Sequence, residues 1–116
     1  MSRALGDAAE ARVAGYLAGQ GYEILARNYA VRGAEVDIIA RDGDYYVFVE
    51  VKYRKDGGFS TPREAVTHAK RRRVCMAALL WLQAQGLADV IVRFDVAEVS
   101  PGGVTLLRGA FDYVAW

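Results

Sequence analysis

Glu35-Val36-Asp37-Ile38-Ile39-Ala40-Arg41-Asp42-Gly43-Asp44-Tyr45-Tyr46-Val47-Phe48-Val49-Glu50-Val51-Lys52 is the stretch that decides how this chain is built. Two runs of β-branched and aliphatic residues flank Asp42-Gly43-Asp44, a tight-turn signal, so the segment reads as a β-hairpin. Each strand carries acids among apolar residues, where an unpartnered charge is costly. Strand side chains alternate faces, and residues directly opposite in an antiparallel pair share a face. With Gly43-Asp44 as the loop, Asp42 faces Tyr45 and Asp37 falls opposite Glu50. With Asp42-Gly43 as the loop, Asp37 sits one diagonal from Glu50. Both registers put Asp37, Glu50 and Lys52 on one face and leave Val36, Ile38, Ala40, Val47, Val49 and Val51 as a wholly apolar opposite face.

Two carboxylates converging beside an ammonium group suit a divalent cation. Mg²⁺ prefers six oxygen ligands and usually takes one or two carboxylates, with waters and substrate phosphate oxygens completing the shell. Asp37 and Glu50 meet that need, and the Val51 carbonyl is placed to add a third protein oxygen. A metal so held polarises a phosphate oxygen and lowers the pKa of a bound water. Lys52 is placed to position that water or to neutralise charge developing on the phosphate. The competing reading is a cross-strand ion-pair ladder of Asp37, Glu50 and Lys52, worth under about 1 kcal/mol.

The 116 residues suit a single domain over 1–116. With 53% hydrophobic and 25% charged residues, the expectation is a soluble globular protein rather than a disordered one. No apolar run approaches the roughly 20 residues needed to span a bilayer. The first residues lack the apolar core of a secretory signal. The one cysteine, Cys75, lies between Val74 and Met76 and reads as a small core residue. A cytoplasmic location is expected, with no membrane partner.

Charge is segregated. Residues 52–73 hold eight basic residues (Lys52, Arg54, Lys55, Arg63, Lys70, Arg71, Arg72, Arg73) against two acids, a net +6, while the remainder carries −5. A basic tract directly after the Lys52 strand is the footprint of a polyanion partner, nucleic acid above all. Arg54, Lys55, Lys70, Arg71, Arg72 and Arg73 are therefore candidate phosphate contacts. The alternative is a solvated helix face with basic residues in excess.

Along the chain, a first helix is expected over residues 4–19, ended by Gly19 and Gly21. Glu10 shares the stripe of Val13 and Leu17, which aims it at the sheet. Asp7-Ala8-Ala9-Glu10 equally fits a capping box in which Glu10 only bonds backbone N–H groups. A strand over Tyr22–Tyr29 and an Arg32-Gly33-Ala34 turn precede the hairpin. Arg54 to Ser60 reads as a basic, turn-rich loop, and a second helix opens at Thr61-Pro62-Arg63-Glu64 and runs to about Leu82. Val90–Val99, a Ser100-Pro101-Gly102-Gly103 turn and Val104–Leu107 form another hairpin. The aromatic tail, Phe111 to Trp116, docks either on the core or on another subunit. The order α-β-β-β-α-β-β gives an α/β mixed sheet, with an antiparallel meander, a helical crossover and helices on both faces. Tyr29, Tyr45, Tyr46 and Tyr53 are placed either to stack on bases or to pack in the core. His68 has no Cys or second His near it to make a zinc site.

The chain resembles the YraN family of small bacterial proteins over nearly its whole length. The matching residues are Gly6, Glu10 and Tyr16-Leu17; Gly21-Tyr22, Ile24-Leu25 and Arg27-Asn28; Gly33, Glu35, Asp37 and Ile39-Ala40; Val47-Phe48-Val49-Glu50-Val51-Lys52 and Arg54; Pro62, Glu64-Ala65-Val66 and Lys70; and Arg93-Phe94-Asp95-Val96. It departs from that pattern at Ala9, Ala34, Tyr53 and Gly109. That family is similar to the restriction-endonuclease-like superfamily with its PD-(D/E)xK motif, and most of all to archaeal Holliday-junction resolvases. The resemblance implies a nuclease core dependent on Mg²⁺ or Mn²⁺, with Asp37, Glu50 and Lys52 as the motif and Glu10 as an additional helix-borne acid. It implies cleavage of DNA, branched or single-stranded, and a symmetric dimer if two strands are cut. The alternative is a catalytically silent nucleic-acid-binding or scaffold protein that keeps the same fold.

Overall fold

Ala9, Val13 and Leu17 repeat at helical spacing, and their burial against a sheet sets the first helix, α1 (Arg3–Gly19). The computed structural model describes residues 3–54 and 66–114. After α1 come β1 (Glu23–Val31), β2 (Ala34–Asp42), β3 (Tyr45–Tyr53), α2 (His68–Ala84), β4 (Ile91–Ser100) and β5 (Gly103–Phe111). The expected order α-β-β-β-α-β-β is the observed one. The five strands lie in sequence order in one sheet, antiparallel except for the parallel β3–β4 pair. That parallel pair is what a crossover through α2 permits, since parallel neighbours cannot be joined by a tight turn.

The hairpin adopts the Gly43-Asp44 loop: Asp42 pairs with Tyr45 and the register runs to Ile38 opposite Val49. Gly43 stands at φ 59°, a conformation that costs an L side chain about 1 kcal/mol or more. Beyond Ile38 the β2–β3 ladder ends, and the Val51 N–H turns to the Asp37 carboxylate at 2.7 Å. In β1 the pairing with β2 passes from Arg27–Ile38 to Tyr29–Val36, leaving Asn28 and Asp37 out of the ladder. Asn28 sits there at φ 53°.

This break corrects one expectation. Val36 does not join Ile38 and Ala40. It packs with Ala34, Ile39 and Phe48 against α2, while Ile38, Ala40, Val47, Val49 and Val51 pack against α1. Asn28, in the left-handed region, and Asp37 are unpaired there, and Val36 and Ile38 on either side of Asp37 fall on opposite faces, so strict two-residue periodicity fails.

Two apolar layers result, one on each face of the sheet. Under α1, Val13 and Leu17 meet Ile38, Val47, Val49 and Val99. Under α2, Trp81, Phe48, Phe94 and Phe111 form a chain of ring contacts with centroids 6.0, 5.9 and 5.2 Å apart. Such ring pairs add about 0.5–1.5 kcal/mol each beyond burial.

The second helix begins later than its sequence suggests. Its N-cap is Thr67, whose hydroxyl accepts the Lys70 N–H at 3.2 Å, and Val66 is not helical. A helix continuous from Thr61 is thereby excluded. Thr61 to Glu64 themselves, like the loop from Lys55 to Ser60, lie outside the described residues. The tail resolves onto the core as far as Val114. Phe111 ends β5 and stacks on Phe94, and the Val114 N–H donates to Cys75 Sγ at 3.3 Å. Cys75 is buried, as its neighbours implied, and burial pushes its thiol pKa up.

Arg93-Phe94-Asp95-Val96 is a structural stretch. Asp95 is wholly buried and accepts from Tyr22 Oη, Arg93 Nε, Arg93 Nη2 and the Gly109 N–H at 2.9–3.1 Å. Arg93 also donates to Asp42 at 2.9 Å and to Tyr22 Oη at 2.6 Å. Gly109 reaches Asp95 from φ 62°, a conformation that glycine adopts without strain.

Candidate metal centre

Asp37 sits where β2 parts from β3, and that gap lets groups from both faces of the sheet reach it. Glu10 comes from α1 on one face, and Glu50 from β3 on the face of Phe48 and α2. Asp37 lies close enough to both for its charge to raise their carboxyl pKa values. The capping-box alternative for Glu10 does not occur: α1 starts at Arg3, so Asp7 and Glu10 are interior helical residues. The helical stripe is what aims Glu10 at the sheet.

Electrostatically the centre is unbalanced. Glu50 is almost fully buried, and burial, then the neighbouring Asp37, pushes its carboxyl pKa well up, with Lys70 pulling only partly back. Burial and Asp37 likewise raise Glu10 from an ordinary 4.5 to about 7. Among the described residues, Glu10 Oε1 and Glu50 Oε1 are buried with no hydrogen-bond partner. Buried carboxylate oxygens are seldom left so, because the lost hydration costs about 1–3 kcal/mol or more. Two orphan acceptors flanking a third acid are oxygens that a cation would satisfy. A finished cage is not present: no three His, Cys, Asp or Glu side chains among the described residues converge as a ready ligand set. Asp37, fixed by Val51, and Glu50 match the one or two carboxylates of a mostly hydrated Mg²⁺ site. Val51 brings its amide N–H to the centre, as the donor that orients Asp37.

The expected basic residues separate into distinct roles. Lys52 is exposed on β3 and lines a cleft with Glu50, Thr67, Lys70 and Arg73. Lys70, expected as a phosphate contact, pairs with two carboxylates in this structure. Its Nζ lies 3.0 Å from Glu50 Oε2 and 3.1 Å from Glu35 Oε1, inside the carboxylate cluster. Spacing along α2 alone could not find this; the matching residues Glu35 and Lys70 were the available signal. Arg54 pairs with Glu98 at 3.0 Å. Arg71 donates to the Val66 carbonyl at 3.0 Å and lies over the Phe111 ring, which commits it to the core. Arg72 is exposed on α2. Lys55 lies outside the described residues. Of the tyrosines, Tyr46 packs 6.1 Å from Trp81, Tyr29 and Tyr53 border the two cores, and Tyr45 is exposed beneath Arg93.

The raised carboxyl pKa values fix a pH dependence. Folded Glu10 holds its proton more tightly than it would in the unfolded chain. Its stabilising contribution is therefore complete below about pH 4.5 and is lost as pH climbs through about 7. Glu50 acts in the same direction. In chelator, the melting temperature should fall between about pH 5 and pH 8, and Glu10→Gln should flatten the fall. A melting temperature that rises over that interval would contradict the site as described.

Fold and centre together give an α/β chain with a partly buried group of carboxylates, Glu10, Asp37 and Glu50, at a split in its sheet. The chain belongs to the uncharacterised protein family UPF0102, whose profile matches residues 9–99. It is 49% identical to the UPF0102 protein of Symbiobacterium thermophilum over 108 residues, covering 93% of this chain and 92% of that one. It is 46% identical over 99 residues to the relative in Geobacter sulfurreducens, covering 85% of this chain and 77% of that one. The Rhodococcus opacus relative is 46% identical over 99 residues, covering 85% and 84%. No helix among the described residues is long and apolar enough to cross a membrane.

Proposed function

We propose that this chain is a PD-(D/E)xK-type nuclease that hydrolyses DNA phosphodiester bonds with Mg²⁺ or Mn²⁺. The observation that carries the reading is the pair of buried, unpartnered carboxylate oxygens of Glu10 and Glu50 on either side of Asp37. Asp37 and Glu50 would hold the metal, with the Val51 carbonyl as a third oxygen, and Glu10 would support it or its water. When bound, the cation supplies Lewis acidity to a phosphate oxygen and lowers the pKa of water. The Val51 N–H keeps the Asp37 carboxylate from rotating away. Lys52 offers its ammonium to the incoming phosphate, where negative charge grows as water adds to phosphorus and one P–O ester bond breaks. The products are a phosphate monoester and a hydroxyl. Lys52 and Arg73 at the cleft, with the exposed Arg72 on α2, supply the positive face for the DNA backbone. Branched or single-stranded DNA is the substrate expected, and paired copies would cut two strands.

The absence of a finished three-donor cage among the described residues favours a second reading, a silent DNA-binding protein with the same fold. Purified protein incubated with branched, nicked and single-stranded DNA plus Mn²⁺ separates the two. Cleavage that disappears in Asp37→Ala supports the nuclease. Equal cleavage by both proteins would mark a contaminant, and metal-independent binding without cleavage would leave the silent protein.

A further inference from the structure

Lys70 occupies a singular position. Its ammonium bridges one carboxylate inside the centre, Glu50, whose side chain is 6% exposed, and one at the rim, Glu35, whose side chain is 50% exposed. Glu10, Asp37 and Glu50 gather three carboxyl groups, and among the described residues Lys70 brings an ammonium against one of them. Burial works against that ammonium, but the two carboxylates outweigh it and raise its pKa. Lys70 stands in the first turn of α2, on a flexible four-carbon stem that can change partner without moving the helix.

An ammonium and a divalent cation cannot both sit against the Glu50 carboxylate without strong repulsion at such short range. One must yield, and Glu35 provides the place to go. We propose that Lys70 is a built-in counter-ion that holds Oε2 of Glu50, next to the unpartnered Oε1, and shifts to Glu35 alone when a divalent cation is taken up. This rests on the metal reading above and assigns Glu35 a role as a positioning residue that acts through Lys70. Lys70 then faces the cleft shared with Lys52 and Arg73, where an anionic substrate enters.

The test is a double-mutant cycle read by calorimetric titration of Mn²⁺ into the full chain at low salt. Lys70→Gln should tighten Mn²⁺ binding about five- to tenfold, and Glu35→Gln should weaken it about threefold, as expected for contacting charged groups. In the Lys70→Gln background, Glu35→Gln should change the affinity by less than about 1.5-fold, because its partner is gone. A Lys70→Gln protein that binds Mn²⁺ no more tightly than wild type overturns the proposal. So does a Glu35→Gln effect that persists undiminished without Lys70, since Glu35 would then act as a ligand or by long-range charge. Should Lys70→Gln fail to fold in chelator, Lys70→Arg carries the test with opposite sign. Its bidentate grip on carboxylates should weaken Mn²⁺ binding, and unchanged affinity would overturn the idea. Binding that depends on Glu50 but is indifferent to Lys70 removes this inference alone, whereas no Glu50-dependent binding removes the metal reading with it.

Discussion

Glu50→Gln will give a protein that melts several degrees higher than wild type in chelator at pH 8, yet binds no Mn²⁺ and has lost cleavage by roughly 10³-fold. Both halves follow from one carboxyl group. Burial and Asp37 push the Glu50 pKa well above its ordinary value despite Lys70, so the ionised form is a net liability to the folded chain. The amide keeps the shape and removes the charge. Lys70 keeps Glu35 at 3.1 Å as its partner. Stability gained while activity vanishes is the mark of a residue kept for chemistry at the expense of the fold. Thermal unfolding with and without Mn²⁺, paired with a cleavage time course, checks both. A variant that melts lower than wild type in chelator would show Glu50 to be a structural ion-pair partner of Lys70 and would favour that reading over the metal.

The largest stability loss is expected elsewhere. Asp95→Ala removes a wholly buried carboxylate that satisfies Tyr22, two nitrogens of Arg93 and the Gly109 N–H. Arg93, with its side chain 15% exposed, would retain Asp42 as its one carboxylate partner among its ion pairs. Breaking a buried charge pair by deleting one member costs about 3–5 kcal/mol, a large part of the roughly 5–15 kcal/mol that holds a domain folded. Urea unfolding should show the midpoint drop accordingly, with the slope unchanged. A loss under about 1 kcal/mol would mean that solvent reaches the network. Asp95→Asn should cost less, because an amide still accepts from Arg93.

The Arg93-Asp95 network shows where reading the sequence stops. Both residues belong to a stretch that matched a family pattern, but nothing in their spacing assigns them a purpose. Their role depends on Tyr22, Asp42 and Gly109, which are brought together from three other parts of the chain. Lys70 is similar. In the sequence it is one of four consecutive basic residues, and the turn of α2 that starts at Thr67 separates it from Arg71, which faces the Phe111 ring. Charge runs tell how many cations a segment has, not which of them meets an acid.

Local rules reached far along the hairpin. Turn chemistry and two-residue alternation narrowed the β2–β3 hairpin to two registers and found most of the apolar layer under α1, and the element order allowed a crossover that makes β4 parallel. These depend on neighbours in sequence or on a single register, and the same sterics govern every strand. Only the tertiary structure decided that Val36 changes sides, that Glu10 reaches Asp37 from the opposite face, and that Lys70 rather than Lys52 contacts Glu50. The third follows from where α2 starts beside β3, and the first two from the opening of the sheet at Asn28 and Asp37. A backbone irregularity there shifts side-chain direction by one residue, and its position is set by long-range pairing that periodicity does not encode.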